Sequence, residues 1–408
     1  MPLKWFKNIG PGPLIAAAFI GPGTVTVCTL AGVHFGYALL WAMALSILAT
    51  VTLQEMAARL GIVTQKGLSE IIRLELKNPI LKSTILLLIV SAIVIGNAAY
   101  EAGNITGGVL GLEAVFGPLT FQTATFSVNS YGLIIGVLAF ILLYIGSYKI
   151  LEKVLIALVM LMSCAFLTTA IISTPNLSDI LKGLFFVNIP ETSVLTIIAL
   201  IGTTVVPYNL FLHAALVKEK WTVITDLKHA KRDTVTAILL GGIVSMSIII
   251  TAATTSLTNI TDAADLAKGL EPLFGKHSTF ILAMGLFAAG VTSAITAPLA
   301  AAFVAKGCFG WSGGMKSKKF RWVWMLILGL GVVLSSLGIK PIEIIKFAQV
   351  TNGLLLPIIA GLLLWITNKK SILGSYANGR FQNVLGICIV IITLFLGLKS
   401  ILSVFNTL

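Results

Sequence analysis

Apolar residues in this chain come in long runs rather than alternating with polar ones. Eleven runs lie near residues 11–33, 37–60, 82–112, 131–148, 154–174, 193–217, 234–256, 278–305, 322–338, 341–366 and 382–404. A helix needs about twenty such residues to cross a hydrocarbon core, so the pattern predicts eleven membrane-spanning helices. The third and eighth runs are longer and predict helices that tilt or extend past the bilayer. The polar stretch 62–82 predicts an inner loop carrying a short helix.

Two runs are interrupted near their middles. Gly21-Pro22-Gly23-Thr24 breaks the first, and Val206-Pro207-Tyr208-Asn209 breaks the sixth. Proline removes a backbone donor and clashes one turn back, so each motif opens its helix. In hydrocarbon, freed backbone groups are tolerated only where they face protein or a water-lined cavity. Paired breaks in corresponding halves of a membrane chain point to a transport site near the midplane. Inverting spans 1–5 onto spans 6–10 superposes the two breaks. The expected division of this single transmembrane domain is a first repeat over 1–175, a second over 176–370, and an added eleventh span over 371–408.

The third run adds a polar stripe. Asn97, Tyr100, Glu101 and Asn104 recur at helical spacing and share one face. Such a stripe should face the bundle interior or an aqueous path, and an intramembrane carboxyl is functional by default. The competing reading is that the helix emerges early and leaves Glu101 at the outer mouth, since Gly107-Gly108 follows. Span 6 also carries Thr203, Thr204 and His213, and span 10 carries Gln349, Thr351 and Asn352. His213 reads equally as an interior hydrogen bonder or a coupling residue. Candidate substrate-binding residues are Gly21, Gly23, Thr24, Asn97, Tyr100, Tyr208, Asn209, Gln349 and Asn352. Candidate proton- or ion-coupling residues are Glu101 and His213.

Composition agrees with the pattern. Hydrophobic residues make up 57% of 408 and charged residues 11%, and the mean hydropathy is +1.01. A soluble domain carries about 25% charged residues. The net charge of +13 would suit a nucleic-acid binder, but its distribution reads as topology. With the N-terminus inside, only Lys182, Lys268, Lys276, Lys340, Lys346 and Lys399 of the 28 Lys and Arg fall outside. That bias predicts a cytoplasmic N-terminus, an external C-terminus and a bacterial inner membrane. Basic clusters such as Lys228/Lys231/Arg232 then lie inside, where anionic lipid heads are in reach. No cleaved signal peptide is read at the start. The four cysteines show no metal or disulfide spacing. No cofactor, nucleic-acid partner or oligomer is expected. Loops of at most about twenty residues leave no soluble receptor domain, and no nucleophile–base pair of an enzyme lies beside the breaks.

At this point a family becomes legible. Gly10-Pro11-Gly12-Pro13-Leu14 through Phe19-Ile20-Gly21-Pro22-Gly23-Thr24, then Ala31-Gly32-Val33-His34-Phe35-Gly36-Tyr37 and Leu39-Leu40-Trp41, resemble the opening of the Nramp divalent-metal transporters. So do Leu53-Gln54 with Arg59-Leu60-Gly61-Ile62-Val63-Thr64, Pro207 with Asn209-Leu210 and Leu212-His213, and the stretch from Thr292 to Thr296. The resemblance implies a LeuT-like fold, all-α, with a 5+5 inverted repeat. It also implies a substrate held between the broken spans, and alternating access.

The departures bear on the substrate. The family's first-span motif is Asp-Pro-Gly-Asn and its sixth-span motif Met-Pro-His; this chain has Gly21-Pro22-Gly23-Thr24 and Val206-Pro207-Tyr208. The side chains that bind metal in the family are therefore absent. The family's third-span acids align with Asn97 and Tyr100, while its second span 6 histidine corresponds to His213 and its span 10 glutamine to Gln349. A bare dication needs anionic or strongly polar ligands to replace its water, so the usual Mn²⁺ or Fe²⁺ chemistry is not expected. The inventory of tyrosines, amides and hydroxyls favours a neutral polar organic solute such as a sugar. The alternative is Mg²⁺ or another divalent cation in largely hydrated form.

Overall fold

The structure is a computed structural model, and it describes residues 20–122, 127–146, 149–337 and 339–405. Helices occupy all eleven predicted runs. They are α1 (Pro22–Phe35), α2 (Leu40–Thr64), α4 (Pro79–Phe116), α5 (Ser130–Ile145), α6 (Lys149–Ile172), the pair α8 (Val194–Thr204) and α9 (Pro207–Lys220), α10 (Leu227–Ala253), α11 (Ser278–Phe309), α12 (Lys318–Ser335), α13 (Pro341–Thr367) and α14 (Arg380–Phe405). The predicted helix in the second loop is α3 (Leu68–Glu75), and α7 (Leu177–Phe185) follows α6 after a 117° bend. A two-stranded antiparallel hairpin, β1 (Thr120–Gln122) with β2 (Ser127–Asn129), links α4 to α5.

Local chemistry sets several of these boundaries. Asn78 caps α4 by accepting from the amides of Ile80 and Leu81, with Pro79 at the first helical position. Asn129 caps α5 in the same manner, and Gly146 ends it with a positive φ of 67°. The third and eighth runs do yield the long helices, at 38 residues for α4 and 32 for α11.

The long helix α4 is the hub of the bundle, packed against α11, α13 and α12. Small residues permit the closest approaches. A β-carbon at Gly290 of α11 would lie 2.7 Å from Cα of Gly108 on α4, so the two backbones nearly touch. One at Gly107 would run into the ring of Pro22, which brings α4 against the first turn of α1.

The added helix α14 is tied in at the end of the molecule that carries the basic loops. Arg59 of α2 pairs with Glu55 at 3.1 Å and donates to the Tyr376 carbonyl and to Asn378. Gln382 of α14 donates to the same Glu55 at 3.1 Å. At the opposite end, short helical turns over 263–277 lead into α11. There Asp265 accepts from Thr261 and pairs with Lys268 at 3.1 Å.

Candidate functional site

The first break lies at Gly21, an extended residue (φ −101°, ψ −175°) from which α1 starts with Pro22 at its first position. The half of span 1 that precedes it lies outside the described residues. The second break is shorter than the sequence suggests. The helix α8 ends at Thr204, Val205 and Val206 leave helical geometry, and α9 resumes at Pro207. Proline suits the first helical position because that residue needs no amide donor. Tyr208 and Asn209, read in the sequence as part of the break, are therefore the first turn of a helix. The C-terminal end of α8 presents backbone carbonyls, which favour a cation, while α1 and α9 present amide ends.

Around these ends the side chains interlock. Thr24 and Thr203 hydroxyls lie 2.8 Å apart and join α1 to α8. Thr204 bonds back to the Leu200 carbonyl at 2.9 Å and meets Ser46 of α2. The Gln349 side chain of α13 lies directly on Gly23, where a β-carbon would occupy its amide. The Ser293 hydroxyl of α11 would lie 3.1 Å from a β-carbon at Gly21. Gly202 of α8 presses on the backbone between Gln349 and Gly353. The two glycines of the first motif thus serve as close-approach positions.

The stripe on α4 is buried throughout, which excludes the reading that puts Glu101 at the outer mouth: Glu101 is 0% exposed. Its four members nonetheless reach different neighbours. Asn97 donates to the Ala297 carbonyl of α11 at 2.8 Å. Tyr100 packs edge-to-face on Tyr208, with ring centroids 5.4 Å apart. Glu101 lies against Gly331 of α12, and Asn104 donates to it at 3.4 Å. His213 donates from Nδ1 to the Gln54 amide oxygen at 2.8 Å, tying α9 to α2.

Buried polar groups are normally hydrogen-bonded. Here a set of side-chain atoms makes no hydrogen bond within the protein: both amide atoms of Asn209, Ser293 Oγ, Gln349 Oε1, Asn352 Nδ2, Glu101 Oε1 and His213 Nε2. Of the predicted residues, Gly21, Gly23, Thr24 and Gln349 come together at the start of α1, and Tyr100 and Tyr208 pair beside them. Asn352 lies between α13 and α4, its Oδ1 3.9 Å from a β-carbon at Gly96. Ser293 is not among the predicted site residues. The available signal was its place one turn after Gly290, on the closely packed face. Among the described residues no cluster of three or more His, Cys, Asp or Glu could hold a metal ion. Among the unpartnered atoms, the amide oxygens of Asn209 and Gln349 and the hydroxyl of Ser293 are hard oxygen donors that can meet a cation directly or through its water.

Below the site runs a seam toward the basic end. Tyr208, Phe211, Ala215 and Lys218 recur at helical spacing on one face of α9. Its lower part, with Ser69, Arg73 and Phe303, lines a cavity of about 380 Å³.

Comparison with known proteins locates this architecture. The profile described as "Natural resistance-associated macrophage protein-like" matches residues 12–403. A protein of Verminephrobacter eiseniae (strain EF01-2), described as divalent metal cation transporter MntH, is 26% identical over 92% of this chain and 84% of its own length. One of Erwinia tasmaniensis with the same description is 27% identical over 95% and 92%. The crystal structure of the Eremococcus coleocola manganese transporter superposes with a TM-score of 0.77 at 22% identity, covering 99% of this chain and 88% of that one. MhsT, solved in complex with L-phenylalanine, shares the fold more distantly, with a TM-score of 0.58 at 16% identity over 96% and 98% of the two chains. The fold is thus the LeuT-like 5+5 inverted repeat with a helix added at its end, and the chain belongs to the Nramp family of multi-pass membrane transporters.

Proposed function

We propose that the protein carries divalent cations across the membrane by alternating access, taking the ion with much of its water. The observation that carries this reading is the set of unpartnered, buried amide and hydroxyl oxygens on Asn209, Ser293 and Gln349 around the two breaks. Mg²⁺ sheds water reluctantly, and such oxygens can hold its shell. No thioether or carboxylate stands at the motif positions of spans 1 and 6, so inner-sphere binding of a softer metal is disfavoured.

This reverses the preference drawn from the residue inventory. Relatives described as divalent metal cation transporters match the chain over most of its length, which speaks for the cation alternative over a sugar. The packing agrees. Tyr100 and Tyr208 turn their rings on each other at 1% and 0% exposure, so neither offers a free face to a pyranose ring.

In this reading Gly21, Gly23, Thr24, Tyr208, Asn209, Gln349 and Asn352 bound the ion path. Tyr100 and Asn97 brace it. Glu101 and His213 are the buried groups through which a proton or second ion would couple. The two repeats, 1–175 and 176–370, rock about the site, with the basic loops in the cytoplasm.

The test is uptake into proteoliposomes, following Mg²⁺ and Mn²⁺ with interior dyes beside a labelled hexose. Saturable Mg²⁺ or Mn²⁺ entry without hexose entry is expected. Asn209→Ala and Gln349→Ala should each raise KM. Hexose uptake with no cation entry overturns the proposal.

A further inference from the structure

We infer that Ser293 of α11 is a substrate ligand, so that the site draws on α11 as well as on the two broken spans and α13. The assignment rests on the divalent-cation reading and deepens it.

Four observations converge on this hydroxyl. Ser293 is 0% exposed, and its Oγ makes no hydrogen bond within the protein. Its neighbours on α11 behave otherwise. Thr292 spends its hydroxyl on the Ala288 and Ala289 carbonyls, and Thr296 donates to the carbonyl of Ser293 itself. A buried serine commonly returns its proton to its own helix in that way; Ser293 does not.

Its position is also specific. Oγ would lie 3.1 Å from a β-carbon on Gly21, so it sits at the extended residue where α1 begins. Two residues on, the Gln349 amide lies on Gly23, and its Oε1 is likewise without a partner. The packing fixes this arrangement. The near-contact of Gly290 with Gly108 holds α11 on α4, and Gly107 holds α4 on Pro22. Ser293 lies one turn from Gly290 and is thereby delivered to the break.

The chemistry fits the cargo. A hydroxyl offers two acceptor lone pairs and one donor. It can bind a hard dication through oxygen, or accept a hydrogen bond from a water in the ion's shell. Replacing it with a thiol keeps the size close and changes the softness, which shifts the preference toward thiophilic metals.

The experiment is uptake of Mg²⁺, Mn²⁺ and Cd²⁺ by wild type, Ser293→Ala, Ser293→Thr, Ser293→Cys and Gln349→Ala. Removing one hydrogen-bonding partner should raise KM for Mg²⁺ roughly two- to tenfold in Ser293→Ala. Ser293→Thr should restore it at least in part, and Ser293→Cys should shift the Cd²⁺ to Mg²⁺ preference toward Cd²⁺. A merely structural serine would not move that preference. Wild-type uptake with KM unchanged in Ser293→Ala and metal preference unchanged in Ser293→Cys overturns this assignment alone. No cation uptake by wild type overturns it together with the proposed function.

Discussion

The hydroxyls of Thr24 and Thr203 meet at 2.8 Å, one on the first turn after the break in span 1 and the other on the last turn before the break in span 6. Both residues are fully buried. This bond joins the two inverted halves at the level of the site, so it reports on how tightly they are held in this conformation. Thr24→Val and Thr203→Val should each lower stability by about 0.5–1.5 kcal/mol. The double variant should cost little more than either single one, because the partners share one bond. Unfolding titrations in mixed detergent measure the cycle, and strictly additive losses would contradict it.

Gly23 should not tolerate a side chain. A β-carbon there falls on the Gln349 amide, which must either leave the site or push α13 away from α1. Gly23→Ala is expected to reduce transport at least tenfold while the protein still folds and reaches the membrane. Combining it with Gln349→Ala removes the collision and should recover part of the loss in maximal rate, though not the affinity. Initial-rate uptake over a range of ion concentrations separates the two.

Gln54 holds one face of His213. Gln54→Leu leaves the buried imidazole without its acceptor, and a lost partner for a buried polar group costs about 1–3 kcal/mol. The expected result is a lower melting temperature and slower transport, with Gln54→Glu milder than Gln54→Leu because it keeps the oxygen. Thermal melts of purified protein and parallel uptake assays test both.

A pH effect is expected at the turn over 261–268, at the end opposite the basic loops. Burial pushes the Asp265 carboxyl up, but the amide and hydroxyl of Thr261 and the ammonium of Lys268 together outweigh it and hold the group below the usual value. A carboxyl depressed in the folded state adds stability above its unfolded pKa and loses it as pH falls through the folded value. Local protection at 261–268 should therefore be constant from neutral pH down to about 5 and fall below about pH 4. Hydrogen exchange, corrected for the intrinsic pH dependence, measures this. Asp265→Asn should show the weaker protection at every pH.

Much of the fold was legible because hydrocarbon allows few solutions. Length of apolar run gave the eleven helices, and Pro22 and Pro207 within apolar runs located both breaks. The second break was drawn too far along, since proline starts α9 rather than lying inside a gap. Helical spacing read the burial of Asn97, Tyr100, Glu101 and Asn104 correctly, but could not tell that Glu101 lies against Gly331 while Tyr100 lies on Tyr208. The sequence preference for an organic solute over the cation alternative has a related root. An inventory counts tyrosines and amides without knowing which pack on each other. Ser293 escaped notice because a lone serine among alanines looks like a spacer until the opposing glycine is in place.

The seam on α9 has an electrical consequence. From Tyr208 to Phe211, where α9 first meets the wall of the basic-end cavity, is three residues of helix, about 4.5 Å. The hydrocarbon core is about 30 Å thick. Where water fills that cavity it short-circuits the part of the membrane it occupies, so on this side the transmembrane voltage falls across a septum of about one helical turn between Tyr208 and Phe211. A doubly charged ion crossing that septum traverses all the potential on its side of the site. Membrane voltage thus acts on a short displacement of the ion.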